Sequence, residues 1–217
     1  WRLNRSKPWP YRRRRFLPAR PNKANSQQQI ADSSELFAAS YSLLAWQVRV
    51  EPTDFFEMEA RRCGYRLVAG LDEAGRGPLA GPVVAAAVIL PRRCALPGLN
   101  DSKQVAEPER ERLYEEIARR ALGVGVGVAT EREIDDMNIL EATRLAMGRA
   151  IQALAPPPDF LLIDAVILPS VRLPQRAIIK GDGLSVSIAA ASIMAKVSRD
   201  RLMRDYHRRY PQYNFQA

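Results

Sequence analysis

The sequence predicts an α/β fold, a mixed central β-sheet flanked by helices. Three observations lead there. Three strand-like runs come early (65–72, 83–90 and 123–130), and helical and strand-like segments alternate after them. A continuous apolar run, FLLIDAV (160–166), suits a central strand buried on both faces. Segments with helical periodicity lie between and after these strands.

YRLVAGLD (65–72) and VVAAAVIL (83–90) are expected as strands, and the GRGPLAGP between them is too long for a two-residue hairpin turn. EPERERLYEEIARRAL (107–122) sets Leu113, Ile117 and Ala121 on one helical face. GVGVGVAT (123–130) alternates strictly, as a strand with one side pressed against backbone would. Thr130 and Glu133 form a capping box opening one long helix that ends near Leu154, before the three prolines at 156–158. RAIIKGD (176–182) is expected as a short strand ending in a glycine turn, and 188–210 as a helix.

Of 217 residues, 47% are hydrophobic and 26% charged, the balance of a soluble globular domain, and no apolar run approaches membrane-spanning length. The net charge of +9 is carried by residues 1–30, which hold nine Lys and Arg and no acid; the remainder has 24 basic and 24 acidic residues. A nucleic-acid partner therefore does not follow from charge alone. Residues 1–50 are expected to be a basic, disordered N-terminal extension, with a possible short helix at 31–48, and residues 51–217 the folded domain. An unstructured basic arm, residues upstream of a misplaced start codon and an organelle transit peptide all suit the Arg-rich start. Cys63 and Cys94 offer neither a metal-ligand spacing nor a disulfide framework, so a reduced, cytoplasmic setting is expected; a monomer is expected as well.

The single histidine, His207, lies in a polar helical stretch, so a nucleophilic triad is not expected. Carboxylates at the ends of apolar strands stand out instead: Asp72, Glu73, Asp164 and Asp182. A lone acid buried there costs several kcal/mol unless paired or bound to a cation. If the sheet gathers these strand ends, the remedy for their repulsion is a hard divalent cation, Mg²⁺ or Mn²⁺. Two such ions about 3.5–4 Å apart can activate water and stabilise the leaving oxygen of a phosphodiester. The competing reading makes each acid a turn former or helix cap, with Asp182 in KGDGLS the most exposed to it. Asp135, Asp136, Asp200 and Asp205 lie at polar helical positions and are expected to be solvated or ion-paired.

Gly75-Arg76-Gly77 follows the acid pair, and its glycines would let backbone approach a sugar-phosphate. Asp101-Ser102-Lys103 either caps the following helix or sets Lys103 on a phosphate. Ser192, Lys196 and Arg199 share a helical face, either solvated or a phosphate stripe.

GLDEAGRGPLAGPVVAAAVIL, LNDSK, IDDMNILEATRLAM, LLIDAV and KGDGLSVSIAAASIMAKVSRD closely resemble the blocks of ribonuclease HII, the bacterial type 2 ribonuclease H, in that family's order from about Phe56 onward. GRG, in place of a GTG-like turn, distinguishes it from ribonuclease HIII. The resemblance implies an RNase H-like fold and cleavage of the RNA strand of RNA/DNA hybrids. It also implies incision 5′ to single ribonucleotides in duplex DNA, leaving a 3′-hydroxyl, with Mg²⁺ or Mn²⁺ as cofactor. By that resemblance Asp72 and Asp164 are shared ligands of two ions, completed by Glu73 and Asp182. The backbone of Gly75, Arg76 and Gly77 grips the ribonucleotide 2′-OH, and Lys103, Ser192 and Lys196 touch the phosphate backbone. The family pattern continues past YPQYNF into a GY(G/P)T tyrosine motif, which Tyr206, Tyr210 and Tyr213 precede and do not replace. A C-terminal part is therefore expected to be missing. The alternative reading that follows is a truncated domain that binds nucleic acid with little or no cleavage.

Overall fold

The computed structural model describes residues 51–215. The expectations for residues 1–50, including the helix at 31–48, lie outside them. The first element is α1 (Phe55–Arg62), followed by β1 (Val68–Ala74) and β2 (Val83–Ile89). Then come α2 (Glu107–Arg120), β3 (Gly123–Ala129), α3 (Glu131–Met137) and α4 (Ile139–Gln152). The chain continues through β4 (Phe160–Asp164), β5 (Gln175–Ile178), a 3₁₀ turn (Gly181–Gly183), α5 (Val186–Arg209) and a second 3₁₀ turn (Pro211–Tyr213).

The five strands form one sheet in the order β3-β2-β1-β4-β5. β1, β2 and β3 make an antiparallel meander, and β4 pairs parallel with β1 and with β5. Alternation sorts the side chains. Ala69, Leu71, Ala85, Ala87, Leu161 and Ile163 pack with Met147 and Ala150 of α4 on one face. Ala86 and Val88 meet α2 and α5 on the other, where Val68, Phe160 and Leu162 pack on Ile188. β4 is buried on both faces over Phe160–Ile163, as its apolar run requires.

Two close approaches set the helices. A Cβ on Gly127 would stand 2.1 Å from the Ala146 carbonyl oxygen, and one on Gly125 2.1 Å from that of Ala150. This is the backbone contact expected for the Gly-Val alternation, and it seats α4 on β3. On the other face a Cβ on Gly70 would meet Ser187 backbone at 2.1 Å. The first turn of α5 thus lies directly on β1, two residues before Asp72. The first half of α5, from Ser187 to Ala195, is buried on every side, as expected of a helix wedged between a sheet and its neighbours.

The structure corrects two boundaries. The single helix expected from Thr130 to Leu154 is two helices, broken at Asn138. The capping box at Thr130 and Glu133 is present. Asn138, however, has φ 78°, and its side-chain oxygen accepts hydrogen bonds from Leu140 and Glu141 N–H, starting α4 afresh. β5 ends at Ile178, because Lys180 takes a left-handed conformation that ends the extended run, and Asp182 lies in the 3₁₀ turn beyond. No helix among the described residues is long and apolar enough to cross a membrane.

Candidate active site

The parallel register pairs Leu71 with Ile163. One step further brings Asp72, two residues before the end of β1, beside Asp164, the last residue of β4, on the sheet face covered by α5. The 3₁₀ turn after β5 swings Asp182 toward them. Asp164 Oδ1 accepts a 2.7 Å hydrogen bond from Gly181 N–H, fixing that turn to the end of β4. Asp72 Oδ1 accepts from Glu73 N–H at 2.8 Å, and Asp182 Oδ1 from Gly183 N–H at 2.9 Å. The strand-end acids expected from sequence are thus gathered at one edge of the sheet.

Their electrostatics carry the mark of crowding. Asp72 is only 5% exposed. Burial holds its carboxyl well above the ordinary carboxylate range, the charges of Glu73 and Asp164 add to this, and a hydrogen bond from Ser192 partly offsets it. Burial also raises Glu73; Arg76, in a 3.0 Å ion pair, and Lys103 draw it back while Asp164 pushes it up. Asp182 is raised to about 6, first by burial and then by Asp101 and Asp164.

Burial alone would simply neutralise a single acid. Several acids that repel one another at one edge are an environment for a cation. The donors are all oxygen, which suits a hard divalent ion. Glu73 Oε2 is buried with no hydrogen-bond partner, an oxygen left to bind something else. Among the described residues no three acidic, histidine or cysteine side chains are closed into a ready-made chelate. The acids match a hard cation in charge and donor type, while their side chains are held apart.

The remaining candidates divide. The GRG loop leaves β1 at Gly75, whose φ of 109° and whose missing Cβ, 2.5 Å from Pro82 O and 2.6 Å from Arg199 Nε, require glycine. Nothing would meet a Cβ on Gly77, which faces open space. Arg76 is exposed and tied to Glu73. Lys103 is exposed within electrostatic reach of Glu73 and Asp182. Lys196 is half-buried and ion-paired with Asp200 at 2.5 Å. Ser192 lies inside: it is 4% exposed, hydrogen-bonded to Ser102 Oγ at 3.0 Å, and also bonds Asp72. It locks the LNDSK loop and Asp72 to α5. Arg199 is likewise neither solvated nor part of an open stripe. It is 7% exposed, with Nε donating to Pro82 O at 3.1 Å and Nη2 to Ala80 O at 2.9 Å, so α5 holds the GRG loop from beneath.

Three contributors were not assigned from sequence. Asp101 is a fifth acid, near Asp182. It also makes the turn contact expected of it, accepting from Lys103 N–H at 2.9 Å. Ser102 and Arg199 act through contacts between distant segments. A cleft of about 590 Å³ also opens beside the GRG loop, lined in part by Gly75, Leu79, Ile134, Tyr206, Tyr210 and Tyr213. The tyrosines upstream of the expected motif thus stand near the loop. His207 is half-buried on α5 outside this cluster, and Cys63 and Cys94 are free thiols.

Strand order, helical layers and acid edge together define an RNase H-like α/β protein. Comparison with known proteins makes the assignment specific. The family model for ribonuclease HII matches residues 69–217. Ribonuclease HII of Syntrophus aciditrophicus is 58% identical over 162 residues, covering 75% of this chain and 76% of that protein. Ribonuclease HII of Desulfitobacterium hafniense is 50% identical over 199 residues, covering 89% of this chain and 76% of that protein. Against ribonuclease HII of Acetivibrio thermocellus, 55% identical over 160 residues, the match covers 74% of this chain and 62% of that protein. The chain therefore spans between three-fifths and three-quarters of the length of these relatives. Among solved structures, the ribonuclease H2 of Pyrococcus horikoshii superposes with a TM-score of 0.59 at 29% identity, over 67% of this chain and 77% of that one. The chain belongs to the ribonuclease HII family.

Proposed function

We propose that this chain is a divalent-metal-dependent endoribonuclease. It hydrolyses the RNA strand of RNA/DNA hybrids and incises 5′ to ribonucleotides embedded in duplex DNA. The observation that carries this reading is the edge where Asp72, Glu73, Asp164 and Asp182 repel one another beside an exposed glycine loop, in a chain of the ribonuclease HII family.

Asp72 and Asp164 are the central ligands, flanked by Glu73 and Asp182. Two divalent ions, Mg²⁺ or Mn²⁺, would supply Lewis acidity toward the scissile phosphate and lower the pKa of the attacking water. The chain's own groups do the positioning. Ser192 and Glu73 N–H orient the Asp72 carboxylate, and Gly181 N–H orients that of Asp164. The backbone at Gly75, Arg76 and Gly77 faces the ribose 2′-OH, the group that separates RNA from DNA. Lys103 and Lys196 bear on flanking phosphates, whereas Ser192 serves the substrate indirectly by fixing Asp72.

The test uses two end-labelled substrates, a uniform RNA/DNA hybrid and a DNA duplex carrying one ribonucleotide, with Mg²⁺ or Mn²⁺. The wild-type chain is expected to cut both, leaving a 3′-hydroxyl, and Asp72→Asn and Asp164→Asn each to lose at least 100-fold in kcat, within the range for removing one transition-state-stabilising group. Cleavage that persists in excess EDTA, or in either variant at the wild-type rate, refutes the mechanism.

A further inference from the structure

We propose that Glu57 is a positioning residue for Asp182, acting across the fold through the turn that joins β5 to α5; this rests on reading Asp182 as part of the acid site. Glu57 lies on α1. It is 1% exposed, and its Oε1 accepts hydrogen bonds from Ser185 Oγ at 2.6 Å and from Ser187 N–H at 2.9 Å. Ser185 Oγ in turn accepts from Ile188 N–H at 3.3 Å, capping α5. α5 has no acid of its own in its first turn, and Glu57 Oε1 supplies an acceptor for the Ser187 amide there.

Backbone contacts reinforce this clamp. Thr53 N–H donates to Leu184 O at 3.1 Å, and Val186 N–H donates to Thr53 O at 3.2 Å. Ser185 and Leu184 N–H close back on Gly181 O at 2.8 and 3.0 Å. The turn bearing Asp182 is thus fixed at both ends, at Gly181 by Asp164 and at Ser185 and Ser187 by Glu57. A second anchor is needed because Asp101 and Asp164 both repel Asp182. A turn held at one end alone would yield to that repulsion and carry the carboxylate outward.

The experiment compares Glu57→Ala, Glu57→Gln and Ser185→Ala in the full chain. Amide hydrogen exchange is read at Gly183, Leu184 and Ser185 against α4, alongside Mn²⁺ titration. Glu57→Ala is expected to speed exchange at the three turn amides about 10-fold or more while α4 keeps its protection, and to weaken Mn²⁺ binding several-fold. Glu57→Gln keeps Oε1 as acceptor and is expected to restore both. Ser185→Ala removes one of the two donors and shows a smaller change of the same kind, which carries the comparison should Glu57→Ala not fold. In an Asp182→Asn background, Glu57→Ala should weaken Mn²⁺ binding no further. Unchanged exchange at the turn, equal acceleration throughout α4, or full additivity with Asp182→Asn overturns the proposal. A wild-type chain that neither binds Mn²⁺ nor cuts refutes the proposed function instead, and the exchange comparison still decides whether Glu57 holds the turn.

Discussion

Replacing Asp182 by Asn should make the metal-free protein more stable. Burial and the charges of Asp101 and Asp164 raise this carboxyl from 3.8 to about 6. At face value that rise corresponds to about 3 kcal/mol of stability lost at neutral pH. Asp182 is only half-buried, so solvent screening reduces the figure to about 1–1.5 kcal/mol. The folded value lies above the unfolded one. Below about pH 4 both states hold the proton and the carboxyl costs nothing. The unfolded state then ionises first as pH rises, so stability falls across pH 4 to 6 and the full cost remains above that window. Asn is isosteric and its Oδ1 still accepts from Gly183 N–H. Thermal unfolding in EDTA at pH 7.5 should therefore show Asp182→Asn melting about 2–6 °C above wild type, at the 2–4 °C per kcal/mol typical of this chain length. The gain should vanish near pH 4. Added Mn²⁺ should reverse the order, because a ligand that binds only the folded state stabilises the chain that binds it better. A lower melting temperature for Asp182→Asn in EDTA at pH 7.5, or a gain that persists undiminished at pH 4, would refute the argument.

The two glycines of the GRG loop should separate fold from function. Gly75→Ala, at φ 109° and facing Pro82 O and Arg199 at contact distances no Cβ tolerates, should cost about 2 kcal/mol, read as a melting temperature roughly 4–8 °C lower. Gly77→Ala, with nothing near its Cβ, should melt with the wild type yet raise KM for a ribonucleotide-containing duplex; an unchanged KM would remove Gly77 from the substrate surface. Arg199→Met keeps bulk but drops the bonds to Pro82 O and Ala80 O. It should destabilise by about 2 kcal/mol and raise KM while leaving Mn²⁺ affinity near wild type, as measured by titration. A loss of Mn²⁺ affinity as large as the loss in KM would show that Arg199 supports the acids and not the loop.

The acids were legible from sequence because an acid closing an apolar strand is physically costly, and the cost itself points to a remedy. FLLID and VAGLDE state that problem in a few residues. The alternation of Gly and Val over residues 123–128 was equally plain, since it leaves one face without side chains and so requires a close neighbour. What stayed hidden depends on which distant surfaces meet. Asp101 satisfies every local rule for a turn former and is one, yet its charge also acts on Asp182. The face shared by Ser192, Lys196 and Arg199 is real, but only packing reveals that Ser192 and Arg199 point inward while Lys196 stays half-buried beside Asp200. The break at Asn138 carried only a local signal, a residue that tolerates positive φ and caps well, within an otherwise uninterrupted helical pattern. Glu57 stood among FFEMEA like any acid on an amphipathic helix, and its partners lie 128 and 130 residues away.

In all four strand-end acids one oxygen is anchored by a donor from a nearby backbone or side chain: Asp72 Oδ1 by Glu73 N–H, Glu73 Oε1 by Arg76, Asp164 Oδ1 by Gly181 N–H and Asp182 Oδ1 by Gly183 N–H. A carboxylate is planar, so anchoring one oxygen limits where the other can point. Three of these donors are backbone amides, which cannot change rotamer. Their own positions are set by the β1–β4 register and by the turn closed between Asp164 and Ser185. The fold thus directs like charges toward one another and restrains the side-chain swings that would relieve their repulsion. Such restraint lowers the stability of the metal-free chain, which is why removing the Asp182 charge should raise its melting temperature. The same restraint leaves a cation less side-chain freedom to freeze when it draws these carboxylates together.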